Sequence, residues 1–191
     1  LLVLYTLLIL WISTSFWTAT LGFWVLLFGG DRLSIGRLPA DPSTEGRAPG
    51  KTALVMPIYN EDPTRVFAGL RATWQSLVET GVADHFEMFI LSDTRDPQGW
   101  MQEQANWYQM CVDFDAHGRI FYRNRERNIA RKSGNLEEFC HRWGARYEYM
   151  IVLDADSIMD GQTLVKMVEL MDRHPKVALI QSPPLPANQH S

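Results

Sequence analysis

The chain has 191 residues, 46% of them hydrophobic, and a formal net charge of −4. That is enough for one ordinary domain with its own core, and the mildly acidic balance argues against a dedicated nucleic-acid binder, which carries a basic excess. Two cysteines, Cys111 and Cys140, lack CxxC spacing and read as reduced, buried thiols, and five scattered histidines without an HxxxH pair give no zinc signature.

From Leu1 to Gly30 the sequence LLVLYTLLILWISTSFWTATLGFWVLLFGG contains no charged side chain. About 20 apolar residues suffice to cross the hydrocarbon core of a bilayer, so residues 1–30 are expected to form a transmembrane helix. A signal peptide would carry an apolar core of only about 7–15 residues behind a basic start. Arg32, Arg37, Arg47 and Lys51 follow, and basic residues beside a membrane exit favour the cytoplasmic side. Residues 31–50 include LPADPSTEGRAPG and read as a linker. Both ends of the sequence, Leu1 and the loop-like SPPLPANQHS, read as cut.

Beyond the linker, residues 51–191 alternate short apolar runs with helical patterns. TALVMPI (52–58) predicts a buried strand. Asp62 and Pro63 supply a helix cap and first turn, and Val66, Leu70, Trp74, Leu77 and Val78 continue at helical spacing until Gly81. Strand FEMFIL (86–91) comes next, then a helix from about Pro97 to Val112, then strand RIFYR (119–123). A helix over about 134–143 leads to strand YMIVLD (149–154). A further helix near 163–172, with Asp172 at its polar end, leads to a last strand, VALIQ (177–181). This order predicts an α/β fold with a mainly parallel, Rossmann-like sheet covered on both faces.

In such a sheet, ligands bind outside the carboxyl ends of the strands. The first strand ends in Pro57-Ile58-Tyr59-Asn60-Glu61, the second in Ser92-Asp93 and the fourth in Asp154-Ala155-Asp156. Taken singly each has a structural explanation, as cap, turn or strand terminator; together they fall on one rim. Two carboxylates one residue apart at a strand end can present oxygens to a hard cation, which keeps waters and takes substrate phosphates as its other ligands. The stretch RIFYRNRERNIARKSGNL is basic, with Arg119, Arg123, Arg125, Arg127, Arg131 and Lys132 against Glu126. Most of these arginines read as a solvated face. Lys132-Ser133-Gly134-Asn135 opens a predicted helix instead, and free N–H groups beside a lysine suit a diphosphate.

PIYNE (57–61), the Asp93 strand end, KSGNL (132–136), the DAD at 154–156 and VALIQSP (177–183), in this order, resemble a processive family 2 glycosyltransferase. The resemblance covers about 51–186 and is closest to the bacterial enzymes that build the backbone of osmoregulated periplasmic glucans. It implies a GT-A catalytic domain, of which residues 51–191 would be the N-terminal, donor-binding part, behind an inner-membrane anchor and facing the cytoplasm. The implied activity is inverting transfer of glucose from UDP-glucose to a β-1,2-linked glucan acceptor, with Mg2+ or Mn2+ as cofactor and no nucleic-acid partner. By position, Tyr59 and Glu61 would lie near the uracil or ribose, and Asp93 would hydrogen-bond the uracil. Lys132 and the backbone around Gly134 would approach the diphosphate. Asp154 would sit by the ribose and metal, and Asp156 would ligate the metal. The family's general base and its Q-x-x-R-W acceptor motif do not occur before Ser191, so the base is expected beyond it and the chain alone is expected to bind without turnover. Two other readings are a haloacid-dehalogenase-type phosphotransferase, whose nucleophile motif is also an apolar strand followed by DxD, and a non-catalytic nucleotide-sugar-binding module.

Overall fold

The structure is a computed structural model that describes residues 1–28, 35–37 and 49–182. The expected linker over 31–50 therefore lies largely outside the described residues. The chain divides into two compact units, Leu1–Ala40 and Asp41–Ser191.

The first unit is dominated by helix α1 (Leu2–Leu27), which carries no acidic or basic residue and has none of its side chains buried. At 1.5 Å per residue it is roughly 39 Å long, and it is long and apolar enough to cross a membrane. Its threonines need no outside partner. Thr6, Thr14, Thr18 and Thr20 each donate their hydroxyl to the carbonyl four residues back, at 2.8–2.9 Å, which satisfies them inside an apolar surrounding.

Among its described residues, the second unit is built on a four-stranded parallel sheet in the order β3-β2-β1-β4. Its strands are β1 (Thr52–Ile58), β2 (Phe86–Ser92), β3 (Ile120–Asn124) and β4 (Tyr149–Val152). The helices are α2 (Pro63–Glu79), α3 (Pro97–Asp113), α4 (Arg131–Trp143) and α5 (Gly161–Arg173). The reason β1 reads as an unbroken apolar run is that every one of its residues is buried. Leu54, Met56 and Ile58 point into a core shared with Val66, Leu70, Trp74 and Leu77 of α2, Met110 of α3 and Leu164 and Val168 of α5. Ala53 and Val55 point the other way, into a smaller core with Phe89, Leu91 and Phe139 of α4. Helices thus cover both faces, the condition for an all-parallel sheet. Burying each large side chain contributes about 1.5–3 kcal/mol.

The helix starts follow local chemistry. Asp62 accepts from the Thr64 N–H at 2.9 Å and Asp96 from the Gly99 N–H at 2.8 Å, each with proline at the first helical position. Val78, expected on the apolar stripe of α2, is 46% exposed. Helix α4 starts at Arg131, three residues before its expected opening at Gly134, because Ala130 and Arg131 turn the chain in left-handed conformations (φ 56° and 50°). Two further expectations are corrected. Residues 177–181 form no strand: they find no ladder partner, Leu179 is 83% exposed, and β4 stays at the sheet's edge among the described residues. Asp172 does not sit on a polar surface; it is buried and accepts from the Tyr149 hydroxyl at 2.8 Å. Of the two thiols, Cys111 is buried as expected, whereas Cys140 is exposed.

Candidate active site

All four strands run parallel, so their carboxyl ends share one rim. Between the ends of β1 and β4 lies an open cleft of about 460 Å3, lined by Glu61, Asp62, Arg65, Lys132, Asp154 and Asp156 with Pro57, Val66 and Ala155. Four of the seven residues singled out in the sequence therefore meet in one cleft. Asp154 and Asp156 lie two and four residues past β4, on an exposed loop. Lys132, in the first turn of α4, is ion-paired to Asp154 Oδ1, with lysine and aspartate side chains 51% and 62% exposed. Among the described residues, Asp156 accepts only a long bond from the Ser157 hydroxyl, at 3.4 Å.

The donor set is made of oxygens. Two carboxylates one residue apart, open to solvent, fit a cation of the Mg2+ or Mn2+ class that keeps waters and takes phosphate oxygens as its other ligands. Among the described residues no group of three or more His, Cys, Asp or Glu side chains forms a closed cage. A hard ion completed by its substrate therefore suits the cleft better than a structural metal does.

Tyr59 and Asp93 flank the cleft. Asn60 between Tyr59 and Glu61 is left-handed (φ 57°), so the chain doubles back and the Tyr59 N–H donates to Glu61 Oε2. The Tyr59 side chain is 49% exposed. Asp93 is 3% exposed. Its two oxygens take Nε and Nη2 of Arg125, a bidentate pair whose side chains are 4% and 8% exposed. Hydrogen bonding to Asp93 holds the Arg125 guanidinium above the ordinary arginine value; burial opposes this, and the Asp93 charge adds to it. Gly134 lies instead beside a neighbouring cleft of about 630 Å3 with Arg123, Arg125 and Ile129. Its N–H donates to the Ala130 carbonyl at 3.1 Å.

Sequence reasoning missed Arg125 and Arg123, which it took with their neighbours as a solvated face. Arg125 is locked onto Asp93. Arg123 Nη1 lies 3.0 Å from Glu138 without hydrogen-bond alignment, and its guanidinium lies over Trp143, 5.5 Å from the ring centroid. Burial is the main influence lowering the Arg123 pKa. Nothing in a run of arginines tells which of them turns inward.

Residues 53–187 match Glycosyl transferase family 2. The chain belongs to that family. Among curated relatives it is 49% identical over 188 residues to Glucans biosynthesis glucosyltransferase H of Dickeya dadantii (strain 3937), covering 96% of this chain and 21% of that protein. It is 50% identical over 186 residues to the protein of the same name from Ralstonia nicotianae, covering 97% and 22%. The chain thus spans about a fifth of the length of the curated relatives it matches. Among solved structures it shares the fold of the mannosyltransferase PcManGT from Pyrobaculum calidifontis in complex with GDP-Man and Mn2+. That match has a TM-score of 0.53 and 14% identity, over 72% of this chain and 36% of the other. This family 2 domain is a GT-A α/β fold with a parallel central sheet. Its membership leaves the haloacid-dehalogenase reading without support, and DAD here follows the last strand of the sheet in sequence rather than its first.

Proposed function

We propose that the chain is the donor-binding part of a membrane-bound glucosyltransferase. The full protein would move glucose from UDP-glucose, with inversion, onto the growing β-1,2-glucan backbone of osmoregulated periplasmic glucans. Support for the glucan product comes from the names of relatives at about half identity, and for membrane attachment from α1. The assignment to a bacterial inner membrane rests on the likeness to the bacterial relatives, and the cytoplasmic placement of residues 51–191 on the basic residues that follow α1.

The observation that carries the proposal is the convergence of Glu61, Lys132, Asp154 and Asp156 on one open cleft at the strand ends. In this reading Asp154 and Asp156 hold the divalent cation. When bound, that ion stabilises the negative charge that grows on the diphosphate as the glycosidic bond breaks. Lys132 lets go of Asp154 and takes a diphosphate oxygen. Its place in the first turn of α4 keeps it beside the positive end of that helix. Gly134, which lines the neighbouring cleft, acts indirectly: without a Cβ it lets the first turn of α4 close on the Ile129 carbonyl and so sets the backbone that carries Lys132. Tyr59 and Glu61 line the base and ribose from the turn after β1. Asp93 accepts the uracil N3–H with a lone pair that Arg125 leaves unused, since each carboxylate oxygen has two. Holding the donor this way leaves one face of the anomeric carbon to the acceptor hydroxyl; attack there expels the nucleoside diphosphate and inverts the configuration, the hydroxyl proton passing to a general base of the full protein.

The test is calorimetry of the chain in detergent with UDP, with and without Mn2+ or Mg2+. Cation-dependent binding is expected; equal affinity in EDTA would refute the proposal. A non-catalytic nucleotide-sugar-binding module would pass this test, and transfer of labelled glucose by the full-length protein separates the two.

A further inference from the structure

Beneath the rim, Glu103 of α3 is 1% exposed, and its hydrogen-bond partners are three hydroxyls rather than a cation. Ser92 donates to Oε2 at 2.6 Å, Thr94 to Oε1 at 2.6 Å and Tyr122 to Oε2 at 2.9 Å. The proton directions are fixed by what the hydroxyls receive. Ser92 Oγ accepts from the Thr94 N–H and from Asn124 Nδ2, both at 3.1 Å, so both its lone pairs are used and its one proton must go to Glu103. Thr94 Oγ1 accepts from the Asn60 N–H at 3.0 Å and donates its own proton to the other carboxylate oxygen. Glu103 thus accepts at both oxygens, Oε2 from Ser92 and Tyr122 and Oε1 from Thr94.

These bonds tie together the ends of three strands. Through Thr94, Glu103 fixes Asn60, the left-handed residue that sets Tyr59 and Glu61. Through Ser92 and Thr94 it grips the residues on either side of Asp93. Asn124 Nδ2 also donates to the Thr94 carbonyl at 2.9 Å, and Asn124 precedes Arg125, the partner of Asp93. The chain neighbours of every residue assigned to the donor's base are therefore tied to this one buried carboxylate, Asn60 through Thr94, and Ser92 and Thr94 directly. We propose that Glu103 is a positioning residue for base selection: it never touches the nucleotide, but it sets the geometry by which the rim takes uracil and rejects cytosine. The two bases present opposite hydrogen-bonding groups at N3 and C4, so discrimination between them depends on where Asp93 and the Asn60 turn are placed. This inference rests on the donor reading above.

The test uses the full chain in detergent with Mn2+, comparing UDP and CDP affinities for wild type, Glu103→Gln and Thr94→Val. The glutamine keeps the shape but offers one acceptor oxygen in place of two, and the valine removes the hydroxyl that links Glu103 to Asn60. In both variants the preference for UDP over CDP should fall by about tenfold, the size of one hydrogen bond, while dependence on Mn2+ persists. Loss of folded fraction alone would weaken both nucleotides equally and leave the ratio unchanged, so the ratio isolates positioning from stability. If Glu103→Gln does not fold, Thr94→Val decides by the same ratio. A wild-type preference for UDP that either folded variant retains in full overturns the role of Glu103. A wild type that shows no preference for UDP overturns the donor reading itself, and this inference with it.

Discussion

Lys132 and Asp154 are paired across the mouth of the cleft, the lysine from the first turn of α4 and the aspartate from the loop after β4. Without donor, the lysine neutralises a carboxylate that the proposed function gives to a cation. Lysine and cation therefore compete for Asp154, and a diphosphate that accepts both resolves the competition.

The first prediction follows from that competition. Lys132→Met should tighten binding of Mn2+ alone by about threefold, a modest gain because exposed pairs are weak. The same substitution should weaken UDP in the presence of Mn2+ by about tenfold, through loss of a charged hydrogen bond. Electron paramagnetic resonance of free Mn2+ during titration measures the first effect and calorimetry the second. Unchanged Mn2+ affinity in the variant would show that Lys132 does not occupy the cation's place.

Asp156→Ala should abolish the Mn2+ dependence of UDP binding, whereas Glu79→Ala, on the exposed far end of α2, should not. Asp156 is exposed and its one side-chain hydrogen bond is long, so the variant should unfold at the same denaturant concentration as wild type. Asp172 is no control: its buried bond to Tyr149 makes Asp172→Ala cost about 1–3 kcal/mol. A drop in the Asp156→Ala midpoint would reassign that residue to a structural role.

These substitutions mark how far the sequence could be read. Capping aspartates followed by proline, and the largely apolar β1, are local signals, and the structure places those elements where the pattern does. The gathering of Glu61, Asp154 and Asp156 follows from parallel topology, which delivers the last residues of every strand to the same rim, together with the pairing of β4 with β1. Other features depend on partners distant in sequence. Arg125 turns inward because Asp93 is there, Glu103 because Ser92 and Thr94 are, and Asp172 because Tyr149 is. The apolar composition of 177–181 describes a segment able to form a strand, yet a strand exists only beside another. The early start of α4 hangs on left-handed Ala130, a conformation alanine does not advertise.

Gly161 opens α5 directly against α2. A Cβ there would meet the Ser76 carbonyl oxygen at 2.4 Å and the Leu77 nitrogen at 2.5 Å, both backbone atoms that cannot swing aside. Gly161→Ala should therefore destabilise the domain by about 1–3 kcal/mol. At Gly69 the nearest atom is Ile158 Cγ1 at 3.6 Å, so Gly69→Ala inside α2 should stabilise it by about 0.5–1 kcal/mol. Urea unfolding of both variants checks the opposite signs.

Asp160 should contribute to acid sensitivity, beside Glu87 and Asp113, whose carboxyls are also held below their ordinary values. The Ser76 hydroxyl, donating at 2.7 Å, holds the Asp160 carboxyl below the ordinary aspartate value of 3.8; slight burial opposes this, and the backbone N–H groups of Thr163, Gln162 and Gly161 add to it. A depressed folded-state pKa means that the carboxylate's contribution is complete above the unfolded value and is lost as pH falls through the folded one. Stability should thus decline below about pH 4, and Ser76→Ala should flatten that decline while lowering stability at pH 7. Urea midpoints at pH 7 and pH 3 measure both. An acid slope identical in wild type and variant would mean that other carboxylates govern it.

The hydrogen bond between Ser76 and Asp160 also spans 84 positions of chain, and that separation bears on the order in which the domain assembles. Strands β1, β2 and β3 with the helices between them can come together through shorter loops, whereas β4 and α5 must return across nearly the whole domain to reach β1 and α2. Closing a longer loop costs more chain entropy before any contact offsets it. The Asp154–Asp156 loop lies between these two late arrivals, so the donor cleft is completed only when the last elements dock. In pulsed hydrogen exchange during refolding, the Leu153 amide, which donates to the Val55 carbonyl at 2.9 Å, should gain protection after the amides of β2. Nucleotide and cation present from the start of refolding should then slow unfolding without speeding the first phase of folding, because the surface that holds them does not yet exist.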